Sequence, residues 1–270
     1  MINLIKSEWI KLKSTKALWA TSILVVLLSG LFAMMMGLGS GMSLTDEEVK
    51  KDPLLYAQMV ESISPMQALS GFSLFGIIVI IIQACMTVTS EYGNGSAKTT
   101  LLATPKRWPV PVAKFVVYGI IAAIVAFLAQ VISVPIARWA LSWNVDDSSL
   151  LDRLSFSADD TWRFIGLNCL YAVLVVMIAI GVSYLIRHTA GAISVLLMWI
   201  LIVELMLVGQ IPWVRDWLPP YLPFKNMDAA VQGTEVPDAP WGPTGSLIYF
   251  VVWALAIFIA GIVALKKRDA

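Results

Sequence analysis

The residues that could do chemistry in this chain are few and far apart. His188 is the single histidine, and Cys85 and Cys169 lie inside separate apolar runs. One histidine and two distant cysteines do not make a zinc or haem site, and cysteines in apolar runs are more typical of packing residues than of a disulfide. The sequence therefore predicts no catalytic residues, no metal site and no bound cofactor in this chain, and we expect it not to be an enzyme.

One acidic residue, Glu204, falls in the middle of an apolar run. A carboxylate inside a bilayer is costly unless it is paired or hydrated, so such a residue often marks a pathway or a contact between subunits. Three amide residues also lie in apolar runs: Gln83, Gln130 and Asn168. We take these four residues as candidates for a translocation path or a dimer contact. The alternative is structural, a hydrogen bond between Glu204 and one of the three amides.

A polar segment at residues 89–107 suggests a phosphate-binding loop at first reading. That motif requires glycine five residues before its final Gly-Lys pair, and it follows a strand. Here Tyr92 and Ala97 occupy the two required glycine positions, and a predicted helix precedes the segment. Nucleotide binding by this loop is therefore excluded.

The same segment has the pattern of a turn followed by a short helix. Gly93 and Gly95 allow the chain to turn at the membrane surface. Ser96 is predicted to cap a helical stretch from Thr99 to Ala103, which Pro105 ends. A short helix parallel to the membrane suits contact with a cytosolic partner, and a plain interhelical loop is the alternative.

The elements that must position these residues are membrane spans. Of the 270 residues, 59% are hydrophobic and 14% are charged, too few charges to cover a water-soluble surface. A spanning helix needs roughly 20 apolar residues. Six runs meet that requirement, so the sequence predicts an all-α polytopic membrane protein forming one domain over 1–270, with spans at about 17–38, 69–89, 113–141, 163–186, 190–209 and 245–265.

The distribution of basic residues predicts the orientation of the spans. With the amino terminus inside, the inner segments carry 12 of the 19 lysines and arginines, as the positive-inside rule requires. Six spans return the carboxyl terminus to the same side, where Lys266, Lys267 and Arg268 follow the last span. We therefore expect both termini to be cytoplasmic.

Two segments outside the spans are predicted to lie at the bilayer. Ile2, Ile5, Trp9 and Leu12 recur at helical spacing, which indicates an amphipathic surface helix over 2–16; a basic topology signal without structure is the alternative. The loop at 210–244 is rich in apolar and aromatic residues, which favours a loop that re-enters the membrane from the outside. An interfacial loop held by aromatic anchors is the alternative there.

Several motifs resemble type-2 ATP-binding-cassette (ABC) exporter permeases. Glu91-Tyr92-Gly93-Asn94-Gly95, then Thr100 to Arg107, then Lys114, resembles that family's signature loop. The family has an acidic residue ending span two, a glycine-containing turn, a Thr-Leu-x-x-x-Pro stretch, an arginine, and a lysine opening span three. The segment from Ser7 to Leu12, with Trp19, resembles the family's start. One departure is Gly93, because relatives often have a basic residue there.

The resemblance implies a function as well as a layout. The chain would be the permease subunit of an exporter in the cell (inner or plasma) membrane, paired with a second permease chain, identical or different. Two separate ABC ATPase subunits would bind ATP and Mg, and the coupling loop, 90–112, would seat a coupling helix in them. The residues implied in that contact are Glu91, Tyr92, Gly93, Gly95, Thr100, Leu101, Pro105 and Arg107. Glu91 would meet a basic residue or the N-terminal elbow helix; its alternative partners are Lys98 and Lys16.

Two other classes of protein fit the sequence less well than a permease. A membrane-embedded lipid-processing enzyme needs a cluster of histidine, aspartate or nucleophilic residues within its spans, and this sequence has a single mid-span acid. A secondary transporter usually has more spans, internal repeats and several intramembrane charges. No nucleic-acid partner is indicated, because the net charge is only +1.

Overall fold

The computed structural model describes residues 1–102, 104, 106–207, 211, 214 and 217–267. Within them the chain forms helices and no strands, and six helices are long and apolar enough to cross a bilayer. The predicted all-α fold with six spans is confirmed. Numbered among all helices in chain order, the spans are α2 (Lys16–Thr45), α5 (Pro65–Gly93), α7 (Pro109–Leu141), α9 (Thr161–Ile186), α10 (Thr189–Met206) and α12 (Pro243–Lys267).

Shorter helices precede or connect the spans. They are α1 (Ile2–Lys13), α3 (Glu47–Lys51), α4 (Pro53–Ser62), α6 (Ser96–Leu102), α8 (Ser148–Asp152) and α11 (Pro223–Gln232). Two spans contain π-helical stretches, at Phe72–Gly76 in α5 and at Met198–Leu207 at the end of α10. The N-terminal helix ends at Lys13, three residues before its predicted end.

Several helices begin or end beyond the predicted spans, and prolines account for two of these differences. Pro65, expected between spans one and two, opens α5, and Pro109 and Pro111, expected before span three, lie in the first turn of α7. The first helical turn tolerates proline because its N–H groups have no intrahelical partner there. The first span also continues to Thr45, beyond the predicted end at 38. The predicted end of span five, at 209, lies outside the described residues.

The chain divides into two compact units, and the first contains Met1–Thr21, Ile78–Ala123 and Leu170–Ala270. In this unit α9 and α12 cross with their backbones in contact. A Cβ added at Gly261 would lie 2.6 Å from the carbonyl oxygen of Gly181, and one at Gly181 would lie 2.6 Å from that of Ile257. Glycine permits this approach, as is common where membrane helices pack. The short helix α11 packs along α12 in the same unit.

The second unit contains Ser22–Ile77 and Ile124–Cys169. An added Cβ at Gly37 would collide with the backbone of Ala137, so α2 and α7 also approach closely here. The guanidinium of Arg153 donates to the carbonyl of Val60 over 3.2 Å. The buried core of this unit consists of apolar residues from its helices: Ala33, Leu44, Ile63, Ala68, Ala137, Leu141, Leu150 and Leu154.

Candidate functional site

Four charged side chains meet in the first unit, at the ends of three helices. Glu8 and Lys11 lie one turn apart on α1, Glu91 lies near the end of α5, and Lys114 lies in the second turn of α7. We call these four residues the charge cluster. Because the ion pairs run from α1 to α5 and to α7, the cluster fastens the N-terminal helix to two spans.

Lys114 is the most deeply buried member of the charge cluster. Its side chain is only 2% exposed. Its ammonium donates to Glu8 Oε2 over 2.7 Å and to the carbonyl of Thr87 over 3.0 Å, and it lies 2.9 Å from Glu91 Oε1. A lysine ammonium has three N–H donors, so this group is fully satisfied although almost no water reaches it.

Lys11 lies at the open side of the cluster and reaches a third helix. Its ammonium donates to Glu8 Oε1 over 2.8 Å and to Glu91 Oε1 over 2.9 Å. A longer contact of 3.4 Å joins it to the hydroxyl of Thr100 on α6. The side chain of Lys11 is 42% exposed. Through this residue the cluster connects α6 to the N-terminal helix and to α5.

The cluster carries two carboxylates and two ammonium groups, so its formal charges cancel. Burial would raise the pKa of Glu8, but the positive charges of Lys114 and Lys11 and their hydrogen bonds outweigh it and hold the pKa below its ordinary value. Burial would lower the pKa of Lys11, but hydrogen bonds to Glu8 and Glu91 raise it instead. Paired charges of this kind are stable when burial is matched by complete hydrogen bonding.

Of the four members of the charge cluster, the sequence predicts only Glu91 as a site residue. The family-like segment from Ser7 to Leu12 contains Glu8 and Lys11, and Lys114 was noted as the lysine that opens span three. The sequence does contain a signal for Glu8. It is an acidic residue in an otherwise basic helix, and it lies one turn before Leu12, the buried apolar residue of α1. The partners of Glu91 are Lys11 and Lys114, rather than the alternatives Lys98 and Lys16.

The short helix in the predicted coupling loop differs in detail from its prediction. It runs over Ser96–Leu102, so Ser96 is its first residue. The cap comes from Asn94, whose side-chain oxygen accepts hydrogen bonds from the backbone N–H and the hydroxyl of Ser96. Gly95 has a φ of 77° and makes the turn, a conformation that favours glycine. Gly93 instead ends α5 as a helical residue.

The other predicted coupling residues lie around this helix. Tyr92 packs edge to face on Tyr184, with a ring distance of 6.4 Å, and the guanidinium of Arg187 lies 5.2 Å from the Tyr92 ring. Leu101 is buried. The guanidinium of Arg107 donates to the carbonyl of Leu265 over 3.5 Å.

Two positions of the predicted coupling segment, Pro105 and Ala103, lie outside the described residues.

Glu204 lies in a second polar site, and its predicted amide partners were wrong. Its carboxylate accepts hydrogen bonds from the indole N–H of Trp199 over 2.6 Å and from the backbone N–H groups of Phe224 over 3.3 Å and Lys225 over 2.7 Å. Phe224 and Lys225 open α11. Glu204 therefore binds the amino-terminal end of a helix, where unpaired N–H groups favour negative charge.

The three amides predicted as alternative partners of Glu204 each have a separate environment. Gln83 accepts a hydrogen bond of 3.4 Å from Thr21. Asn168 accepts one of 2.8 Å from Ser73. Both side-chain polar atoms of Gln130 are buried without a hydrogen-bond partner among the described residues. Glu204 and the three amides are therefore not hydrogen-bonded to one another and do not form one polar site.

Six apolar helices preceded by a short helix, with a charge cluster joining that helix to two of them, define a polytopic membrane domain. A family model described as ABC-2 family transporter protein matches residues 2–270. The chain belongs to the ABC-2 family of transporter proteins and is a multi-pass membrane protein. A comparison with curated protein sequences found no significant match. Permeases of this family work with an ABC ATPase partner.

Proposed function

We propose that this chain is the permease subunit of an ABC exporter, paired with a second permease chain and driven by two ABC ATPase subunits that bind ATP and Mg. The family membership supports the class of transporter. The charge cluster supports the proposed coupling to the ATPase, because it joins α6, the helix of the coupling loop, to α1, α5 and α7. A movement of α6 would then be passed to the N-terminal helix and to spans two and three.

The strength of the cluster supports its role in transmission. Breaking a buried ion pair costs roughly 3–5 kcal/mol, so α1 and α7, joined by Glu8 and Lys114, would move together, with α5 joined to them through Glu91 and α6 through the contact between Lys11 and Thr100. Conformational changes driven by nucleotide usually proceed as rigid-body motions of such packed elements. In this proposal Glu91 is the central residue, since its Oε1 atom is shared by both lysines.

The surface that would meet the ATPase lies at the end of α6. Leu101 faces inward and is buried, whereas Leu102 is 83% exposed. An apolar side chain left in water at the tip of the predicted cytoplasmic loop would gain free energy by burial against a protein partner. This orientation makes Leu102, which was absent from the predicted coupling residues, the principal contact on α6.

Co-purification with the ATPase subunit tests the proposal. Leu102→Glu is expected to abolish retention of the ATPase on the tagged permease, because a charge would replace the apolar anchor. The matched control is Leu54→Glu on α4, where the wild-type leucine is 71% exposed and the predicted location is external. Equal retention in both variants would contradict the proposed docking surface.

The predicted orientation completes the proposal, with both termini and α6 in the cytoplasm of a cell whose inner or plasma membrane holds the protein. The excess of basic residues in these segments supports it. Accessibility of a cysteine introduced at Lys98, on a variant with Cys85 and Cys169 replaced by alanine, measures it directly. Labelling of that position from the external side would overturn both the orientation and the mechanism.

The helix α11 is proposed as a re-entrant element of an external gate. The ring of Phe224, at its start, lies 5.4 Å from the ring of Phe250. Phe250 lies seven residues after Pro243, the first residue of α12, which corresponds to roughly 10 Å along that helix. This depth supports a loop that dips into the bilayer and returns, rather than one that rests on its surface.

A further inference from the structure

A cleft of about 540 Å³ lies beside the charge cluster in the first unit. It is bordered by α1, the start of α2, the end of α5, α6 and the start of α7. Binding pockets for small ligands have similar volumes, roughly 300–1,000 Å³. Seven hydroxyl residues contribute to its lining: Ser14, Thr15, Thr87, Ser90, Ser96, Thr99 and Thr100.

The hydrogen-bonding capacity left over in this cleft consists mostly of acceptors. Each of the seven hydroxyls donates its hydrogen to an acceptor within the chain. The ammonium groups of Lys11 and Lys114 each contact three acceptors. The remaining side-chain donors on the lining are the amides of Gln83 and Asn94. A ligand that accepts hydrogen bonds would find few partners, whereas a ligand that donates them would find many.

The carboxylate of Glu91 adds a negative charge to this set of acceptors. Both lysines contact the same atom, Oε1, each over 2.9 Å. Among the described residues, Oε2 has no hydrogen bond or ion pair, and the side chain of Glu91 is 14% exposed. Glu8, in contrast, engages one lysine with each of its oxygens. Glu91 lines the cleft and therefore brings to it a carboxylate with one oxygen, Oε2, that has no partner among the described residues.

The cleft lies at the level of a membrane interface. Its lining on α5 extends from Gln83 to Glu91, roughly 12 Å along the helix. Exposed tryptophans lie on α1, near the start of α2 and just before α7: Trp9, Trp19 and Trp108. Tryptophan concentrates where the hydrocarbon meets the headgroups, so a lipid headgroup is the ligand placed best to enter.

We propose that the cleft binds the primary ammonium group of an aminophospholipid, with the ethanolamine nitrogen donating to Glu91 Oε2 and to neighbouring hydroxyl oxygens. The lipid phosphate would remain outside the cleft, and Lys13 and Lys16, which flank the lining residues Ser14 and Thr15 in the sequence, are basic residues available for it. The assignment of the lipid to the cytoplasmic leaflet rests on the orientation given in the proposed function. The hydrogen-bonding chemistry of the site does not depend on that orientation. A bound lipid of this kind would join the charge cluster to the membrane itself.

Phosphatidylethanolamine and phosphatidylcholine with the same acyl chains distinguish this site from general lipid association. Both headgroups carry the same charges, but the choline nitrogen has no N–H to donate. We expect native mass spectrometry of the purified chain, without any ATPase, to show about tenfold greater retention of phosphatidylethanolamine, the value of one charge-assisted hydrogen bond. Equal retention of the two lipids would overturn the proposal.

Variants of the lining locate the site. The pair Ser90→Ala and Thr99→Val, made together, is expected to lower the retention ratio, because it removes two of the acceptor oxygens that line the cleft beside Glu91. The matched control is Ser43→Ala with Ser62→Ala, two hydroxyls that also donate to backbone carbonyls but lie outside the cleft. A ratio unchanged in the first pair, or lowered equally in both pairs, would contradict the assignment.

A soluble amine separates a lipid site from a site for a free metabolite. O-phosphoethanolamine carries the same ammonium and phosphate without acyl chains. If the cleft is a lipid site, this compound at millimolar concentration leaves the retained phosphatidylethanolamine unchanged. Displacement of the lipid by the soluble compound would show that the acyl chains contribute little and would overturn the lipid assignment. Since no ATPase takes part, these outcomes are independent of the test with Leu102→Glu.

Discussion

Glu91 and Glu204 are both carboxylates held near the ends of spans, and the protein stabilises them in different ways. Glu91 shares two ammonium groups with Glu8 in the charge cluster. Glu204 has no lysine or arginine within ion-pair distance among the described residues; its partners are one indole and two backbone N–H groups at the start of α11. The first site uses full opposite charges, and the second uses dipoles.

This difference separates a transmitting connection from a local one. The charge cluster joins four helices of the first unit, whereas Glu204 joins the end of α10 to the start of α11. Ion pairs that are buried and complete resist separation strongly, while a hydrogen bond to a helix end contributes less. We therefore expect changes at the cluster to affect the whole protein, and changes at Glu204 to affect the outer loop.

The largest expected effect comes from Lys114→Met. Removing the buried ammonium leaves Glu8 and Glu91 to share Lys11, which costs about 3–5 kcal/mol of folding free energy. The measurement is the thermal unfolding temperature of the detergent-solubilised protein, with Lys98→Met on the exposed face of α6 as the control.

The double variant Lys114→Met with Glu8→Leu removes one charge of each sign and is expected to recover part of that loss. A double variant as unstable as the sum of the two single variants would show that the residues are not coupled.

How far the sequence could predict this arrangement depends on the range of the interactions. The six spans follow from apolar runs, which are local, and Pro65 and Pro109 were misassigned because a helix's first turn also accepts proline. Glu91 was identified through a local motif. The burial of Glu8, in contrast, depends on Lys114, 106 positions along the chain, and the partner of Glu204 is a helix start 20 residues away. Only the folded chain brings these groups together.

The next expected effect concerns function more than stability. Glu91→Ala removes the acceptor shared by Lys11 and Lys114, so movement of α6 would no longer be transmitted through the cluster. In a reconstituted complex we expect transport coupled to ATP hydrolysis to be lost while the subunits remain assembled. Glu47→Ala on α3, an exposed acid, is the control. Unchanged transport in the Glu91 variant would remove this residue from the mechanism.

A smaller effect is expected for Glu204→Gln. Glutamine keeps one acceptor oxygen for α11, but its amide N–H₂ then opposes a backbone N–H, so about one charge-assisted hydrogen bond is lost, roughly 1.5–3 kcal/mol. Thermal unfolding measured as for Lys114→Met ranks the two sites on one scale. A loss as large as that of Lys114→Met would show that the hydrogen bonds of Glu204 stabilise the protein as much as the ion pairs of the charge cluster do.

The smallest expected effect is that of a pH change near neutrality on the stability that the charge cluster contributes. The pKa of Glu8 is lowered from 4.5, so its stabilisation is complete above that value and is lost as pH falls through the lowered pKa. The pKa of Lys11 is raised from 10.5, so its stabilisation is complete below that value and is lost as pH rises through the raised pKa.

Between these limits neither group changes its charge. The difference in unfolding temperature between the wild type and Glu8→Gln should therefore stay constant from about pH 5 to pH 10 and shrink in stronger acid, where Glu8 is protonated, and in stronger base, where Lys11 loses its charge. A difference that changed between pH 6 and pH 8 would mean that Glu8 titrates there, and that the two lysines do not hold its charge. The cluster would then respond to pH, and a connection that weakened at neutral pH would be a poor transmitter of movement from α6.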